Sequence, residues 1–246
     1  MKLCFIIASK YIRGYESYIN YYISNINNFY GEDAHVIVVD NNSVFKEDVF
    51  LDLKKYKNVT ILDNNIESKF EIGAYTVAIN YLIENNLNNN YEYYIFTQDN
   101  FVIKNKYDFN ILSNQNVNAC TIYSYEQDGL TSIIQEVLTK LDLFNNLDKI
   151  TFCWALGFIL NKSKILQLSN YFNKIVVVNR AESEAGERYL ARILYELNEH
   201  RNYDIDGRQD CRRYDCWSID LKTAITDHYF CKRVQQKTEK TKDLWM

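Results

Sequence analysis

An α/β fold is predicted here, a mostly parallel sheet flanked by helices in a single domain, and three observations predict it. Short apolar runs recur at residues 3–9, 35–40, 59–62 and 93–97. The segments between them carry apolar residues at helical spacing. The strand-like runs at 3–9, 35–40 and 93–97 end in small or polar residues. This alternation is the pattern of parallel strands joined by crossover helices. Continuous apolar runs mark strands covered on both faces.

The elements follow in order. Residues 3–9 are apolar throughout and end at Ala8-Ser9, a first strand rather than a signal peptide, since Lys10 and Arg13 follow and no small-residue cleavage site appears. Residues 15–29 place Tyr18, Ile19, Tyr22, Ile23 and Ile26 on one helical face. Residues 35–40 form the second strand, 49–55 a short helix and 59–62 the third strand. A helix over 70–84 turns Ala74, Val77, Ala78, Tyr81 and Leu82 inward, with Gly73 in its first turn. Residues 93–97 form the fourth strand. Further on, strands are predicted at 119–125 and 152–160, and helices at 132–144, 162–172 and 183–197. Residues 202–218 show no period, 220–234 are mixed, and 235–246 form a polar tail. The domain is expected over 1–234, with 1–105 as a nucleotide-binding half and 106–234 as an acceptor half.

Composition narrows the function. The 246 residues are 47% hydrophobic and 24% charged, enough for a sizeable core. A formal net charge of −4 and a pI near 5.5 argue against a nucleic-acid partner. No stretch is long enough to span a membrane. The six cysteines lack CxxC spacing, so reduced thiols in a cytoplasmic location are expected. Proline is absent while Asn, Tyr, Ile and Lys abound, the mark of an A/T-rich genome.

In a parallel sheet the carboxyl ends of the strands share one edge, where open α/β sheets bind ligands. Ala8, Ser9, Asp40, Asn41 and Asn42 lie at such ends and are read as nucleotide-binding, with Asp40 bonding a base or ribose. Gly73 joins them because backbone without a side chain approaches a phosphate closely. Asp99, within Gln98-Asp99-Asn100, is a carboxylate among hard oxygen donors and suits Mn²⁺ or Mg²⁺ on a diphosphate. Asp-Asn is also ordinary turn chemistry, and that reading stands beside the first.

These residues carry a resemblance. Val36-Ile37-Val38-Val39-Asp40-Asn41-Asn42-Ser43 resembles the second-strand motif of small GT-A glycosyltransferases, family-2-like. Asn64-Asn65 followed by Gly73-Ala74 and Asn80 is similar to their next segment, and residues 93–100 stand where their metal-binding DXD strand does. The likeness covers roughly residues 1–105 well and the remainder loosely. It implies a GT-A (Rossmann-like) sheet, a nucleotide-sugar donor that is UDP-linked, a saccharide or protein hydroxyl as acceptor, and Mn²⁺ or Mg²⁺ as cofactor. A strict DXD has two carboxylates, whereas this triplet has one, which leaves metal dependence open. Asp204-Ile205-Asp206 spells DXD but follows no strand and reads as surface charge.

An inverting member of such a family needs a carboxylate within reach of the acceptor hydroxyl. Trp154-Ala155-Leu156-Gly157-Phe158 resembles the strand that precedes it, and Glu182, Glu184 and Glu187 are the candidates. Glu187 comes first because Gly186 leaves room for an acceptor. Acids at a helix start also complement its dipole. Trp154 stacks on a sugar or belongs to the core. His228 is a metal ligand by resemblance, or an ordinary core or surface histidine. Lys232 and Arg233 close over the diphosphate or serve as surface charge. Gln98 and Asn100 complete the donor and acceptor contacts. Two other functions stay open: a catalytically silent nucleotide-sugar-binding protein, and a sugar nucleotidyltransferase, whose Gly-rich basic loop is poorly matched by residues 8–14.

Overall fold

The structure, a computed structural model, describes residues 1–11, 17–44, 46–114, 116–122, 124–127, 131–143, 150–153, 156–197, 217–218 and 230–233. In chain order its elements begin β1 (Leu3–Ser9), α1 (Ile19–Tyr30), β2 (Ala34–Asp40), α2 (Glu47–Phe50), β3 (Val59–Asp63), α3 (Phe70–Glu84), β4 (Tyr93–Gln98) and β5 (Phe101–Ile103). They continue with α4 (Asn110–Asn114), β6 (Ala119–Thr121), β7 (Ser124–Gln127), α5 (Ser132–Lys140), β8 (Ile150–Cys153) and β9 (Phe158–Asn161). The last are α6 (Ile165–Phe172), α7 (Arg180–Leu197), β10 (Trp217–Ser218) and β11 (Phe230–Arg233).

Among the described residues the main sheet has six strands in the order β3-β2-β1-β4-β9-β6. The first four are parallel, while β9 runs antiparallel to both β4 and β6. Side chains alternate across the pleat, which sorts the core into two layers. Cys4, Ile6 and Ala8 of β1 face the layer that holds α3, α6 and α7. Leu3, Phe5 and Ile7 face the layer that holds α1. α1 buries Ile19, Tyr22, Ile23 and Ile26, the i, i+3, i+4, i+7 stripe of a helix laid on a sheet. Phe96 of β4 stacks on Phe158 of β9 with centroids 4.2 Å apart, tying the parallel part of the sheet to its antiparallel edge.

Several expectations change in detail. β5, just beyond Asp99, lies outside the main sheet and pairs antiparallel with β11, which in turn runs parallel to β10. The strand expected over 119–125 is two strands, β6 in the main sheet and β7 paired with β8. The strand expected over 152–160 is likewise split into β8 and β9, with Leu156 between them at φ +52°. Leu156 marks a break rather than a reversal: β8 pairs with β7 and β9 with β6, both antiparallel and nearly in continuous register, so one ladder is interrupted where the sequence shows only apolar continuity. The helix expected over 49–55 is α2 followed by a 3₁₀ turn at Leu51–Lys55. Cys4, Cys120 and Cys153 are buried free thiols. Among the described residues no helix is long and apolar enough to cross a membrane.

Candidate functional site

β1 pairs with β2 on one side and β4 on the other. The chain steps outward through β2 and β3, then returns across β1 to β4. Between β1 and β4 the strand order therefore reverses, and the crevice beyond their carboxyl ends is the standard ligand position of an open α/β sheet. Ser9 lies in register with Asp40, and Ala8 with Gln98, so the tips of β1, β2 and β4 end level.

At this point the chain binds itself together through Asp99. Its Oδ2 accepts from Ser9 Oγ at 2.8 Å and from the Lys10 backbone N–H at 3.0 Å, while its own N–H donates to Ala8 O at 3.0 Å. Asp99 is only partly exposed. Burial of its carboxyl pushes the pKa up to about 6 against the pull of those two donors, and the nearby carboxylates of Glu71 and Asp40 add to the rise. A neighbouring amide oxygen, Asn100 Oδ1, is buried and has no hydrogen-bond partner among the described residues. A buried acceptor without a donor is costly, and here it stands one residue from the carboxylate.

Asp40 ends β2 as a buried carboxylate. It accepts from the Ser43 N–H at 3.1 and 3.2 Å and from the Ser43 hydroxyl, closing a turn in which Asn42 has φ +60°. Asn tolerates that left-handed conformation better than most residues. Burial raises the Asp40 pKa, opposed by the Ser43 bonds and by Lys46, which itself pairs with Asp63 at 2.7 Å. Asn41 donates its N–H to Ser9 O, and its side chain accepts from Asn64 Nδ2 at 2.7 Å. Asn64 is fully buried and also donates to Ser68 O at 3.0 Å, so it fastens the loop between β3 and α3 beneath the turn that follows β2. Of the nucleotide-binding candidates, Ala8, Ser9, Asp40, Asn41 and Asn42 thus share one edge.

Gly73 has an internal reason to be glycine. A Cβ there would stand 2.0 Å from Ser68 O and 2.9 Å from Asn64 Nδ2. The close approach it permits is to the chain's own loop, at the entrance to α3, where Phe70 has φ +57°.

In the half expected to take an acceptor, α7 starts at Arg180 rather than at 183. Glu182 is its first-turn acid and is spent on the helix end: its carboxylate accepts from the Val178 N–H and Asn179 Nδ2, while Asn179 Oδ1 accepts from the Glu182 N–H. That reciprocal arrangement is a variant of the capping box, in which the preceding residue's N–H takes the place of the cap residue's own. Glu184 pairs with Arg180 at the exposed surface. Glu187 is therefore two turns inside the helix, not at its opening; it is partly buried and close enough to Cys153 to help raise that thiol's pKa after burial. Gly186 is buried, and a Cβ there would sit 3.1 Å from the Tyr189 hydroxyl.

Sequence reasoning missed Glu71. This residue, in the first turn of α3, accepts from Gln98 Nε2 at 2.7 Å and from Ser183 Oγ at 3.0 Å. Its one visible signal is an acid two positions before Gly73, which reads as a helix-dipole partner. Its partners lie far along the chain. The Gln98 amide, read as a donor or acceptor contact, is thereby occupied within the protein.

Lys232 and Arg233 enter through their backbone: Lys232 pairs with Phe101, two residues beyond Asp99, and Arg233 with Ser218. Trp154, His228, Asp204, Asp206 and the polar tail lie outside the described residues. Among the described residues no group of three or more His, Cys, Asp or Glu is placed to hold a metal ion by itself. Asp99 and the Asn100 amide oxygen supply a small, hard oxygen set, which suits a cation that takes its other ligands from phosphate and water.

No protein-family model matches the sequence, and no curated protein matches it. Among solved structures, the chain is similar to core-mannan synthase A from Aspergillus fumigatus in its Mn/GDP form, with a TM-score of 0.39 at 10% identity over 80% of this chain and 69% of that one. It is similar to S. aureus TarS in complex with UDP, with a TM-score of 0.45 at 13% identity over 96% of this chain and 61% of that one. A third is the mannosyltransferase PcManGT from Pyrobaculum calidifontis with GDP-Man and Mn²⁺, with a TM-score of 0.41 at 10% identity over 68% and 46%. At TM-scores below 0.5 these are distant likenesses, and the reading of the site stands on its own geometry.

Proposed function

We propose that the protein is a glycosyltransferase of the GT-A type that moves a sugar from a nucleotide-sugar, UDP-linked, to a hydroxyl acceptor. The observation that carries this reading is the meeting of Ser9, Asp40 and Asp99 at the strand-order reversal, with Asp99 bonded to Ser9 and Lys10 and followed in sequence by Asn100, whose buried amide oxygen has no partner among the described residues. In this reading the Asp40–Ser43 turn receives the nucleoside. The diphosphate lies over the tips of β1 and β4. Mn²⁺ or Mg²⁺, when bound through Asp99 and Asn100, supplies charge neutralisation at the diphosphate. Glu187 accepts the proton of the acceptor hydroxyl. The acceptor oxygen then forms a bond to the anomeric carbon, and the bond from that carbon to the diphosphate oxygen breaks. The nucleoside diphosphate leaves with the electron pair. Lys232 and Arg233, on the strand stitched to β5, offset the negative charge that develops on it.

The test is a thermal-shift series with UDP-glucose, UDP-N-acetylglucosamine, GDP-mannose, UDP and ADP, each with Mn²⁺ and with EDTA. A ligand that binds only the folded state raises the apparent melting temperature. Stabilisation by a uridine nucleotide-sugar, enhanced by Mn²⁺, is expected. No response to any nucleotide would refute the reading, and binding without transfer or donor hydrolysis would favour the silent binding protein.

A further inference from the structure

We propose that Glu71 is a positioning residue, a latch that holds helix α7 against the tip of β4 and so sets the place of the acceptor-side carboxylate relative to Asp99. Both oxygens of its carboxylate are engaged, and by opposite sides of the crevice. Oε1 accepts from Gln98, the last residue of β4 and the neighbour of Asp99. Oε2 accepts from Ser183, in the first turn of α7. Ser183 and Glu187 are four residues apart, hence on one face of the helix. Fixing Ser183 at the sheet edge therefore fixes the rotation of α7 that presents Glu187.

A second contact from the same face of α3 supports the latch. Tyr75 lies one turn beyond Glu71, is fully buried, and donates its hydroxyl to Leu156 O at 3.1 Å. Leu156 is the left-handed residue between β8 and β9, and a Cβ on Gly186 of α7 would lie 3.7 Å from its side chain. One helical face thus pins the β4 tip, the start of α7 and the turn against which α7 packs. Glu71 also lies close enough to Asp99 to contribute to the rise of that carboxyl's pKa. A partly buried carboxylate between two neutral donors adds little net stability. What it adds is direction, because each oxygen has one partner and the partners belong to the two walls of the site.

The kinetic half of this inference rests on the glycosyltransferase reading; the latch does not, and the experiment separates them. Glu71→Ala, Ser183→Ala and Glu71→Gln are made in the full chain. Hydrogen–deuterium exchange is expected to rise about tenfold or more at residues 180–187 in both Ala variants, with β1, β2 and β4 unchanged, since local opening is decoupled from the core. Glu71→Gln should restore slow exchange, because a turned Gln98 amide lets a glutamine keep both contacts. With UDP-glucose, UDP-N-acetylglucosamine or GDP-mannose and Mn²⁺, kcat should fall about tenfold to a hundredfold in the Ala variants while donor KM stays within about threefold, the signature of lost positioning. Unchanged exchange at 180–187, or faster exchange spread evenly over the sheet, overturns the latch. Donor KM rising with kcat unchanged overturns the positioning role. A wild-type chain that neither binds nor uses any of these donors refutes the glycosyltransferase reading, and the exchange result still decides the latch.

Discussion

Replacing Asp99 with Asn should stabilise the protein above neutral pH and disable it at once. The Asp99 carboxyl is raised from 3.8 to about 6 in the folded state, with burial as the main cause. Below about pH 4 the group is protonated in both states and contributes nothing. As pH rises from about 4 to 6, the unfolded chain gives up the proton more readily than the folded one, so stability falls, and above 6 the full penalty is in place. Two pH units at about 1.4 kcal/mol each give about 3 kcal/mol as an upper figure. Asparagine cannot ionise, and its amide oxygen can still accept from Ser9 Oγ and the Lys10 N–H. Asp99→Asn should therefore gain about 1–3 kcal/mol at pH 8, roughly 2–4 °C in Tm per kcal/mol for a domain of this size, with the gain closing toward pH 4. Urea denaturation of both proteins at pH 4.5, 6 and 8 measures it. In parallel, Mn²⁺ should no longer strengthen nucleotide-sugar binding. An Asn variant that is less stable at pH 8, by an amount that does not change with pH, would show that the carboxylate is stabilised where it stands and refute the reasoning.

The remaining predictions concern three other positions. Gly73→Ala forces a methyl into the Ser68 carbonyl and should cost roughly 3 kcal/mol in urea denaturation; a neutral effect would mean the α3 entrance shifts freely. Asp40→Asn keeps an acceptor for Ser43 and removes the charge, so calorimetry should find UDP binding weakened about tenfold, as for one lost charge-assisted bond, with Tm little changed. Glu187→Gln should lower transfer by about a hundredfold with donor binding intact; equal turnover would exclude Glu187 as the base.

The legible part of the molecule was the part made by local pattern. Residues 3–9 and 93–97 read as buried strands because no polar residue interrupts them until the edge, and the residues at that edge do meet where the strand order reverses. What stayed hidden depends on partners far apart. Nothing near Glu71 announces Gln98 or Ser183. The apolar stretch from Ile150 to Asn161 conceals a break between two strands, because a leucine rather than a glycine or proline takes the left-handed conformation at 156. Glu182 illustrates the converse. Its place in the motif suggested chemistry, and its bonds to Val178, Asn179 and the helix end show an N-terminal cap. Gly73 was read as leaving room for a phosphate, and the structure shows an internal close approach, to Ser68 O, that accounts for the glycine.

The pairing of β5 with β11 also orders events in time. Among the described residues the six strands of the main sheet are complete at Asn161, and α6 and α7 then cover its second face, so that core can close while the chain is still being made. Phe101 must then wait for a partner more than a hundred residues downstream. At a synthesis rate of about 5–20 residues per second, that wait lasts several seconds, far longer than hairpin formation. A nascent chain halted after α7 would have both faces of that sheet covered while lacking β11. β11 then docks onto β5, outside the six-stranded sheet and after that sheet is built.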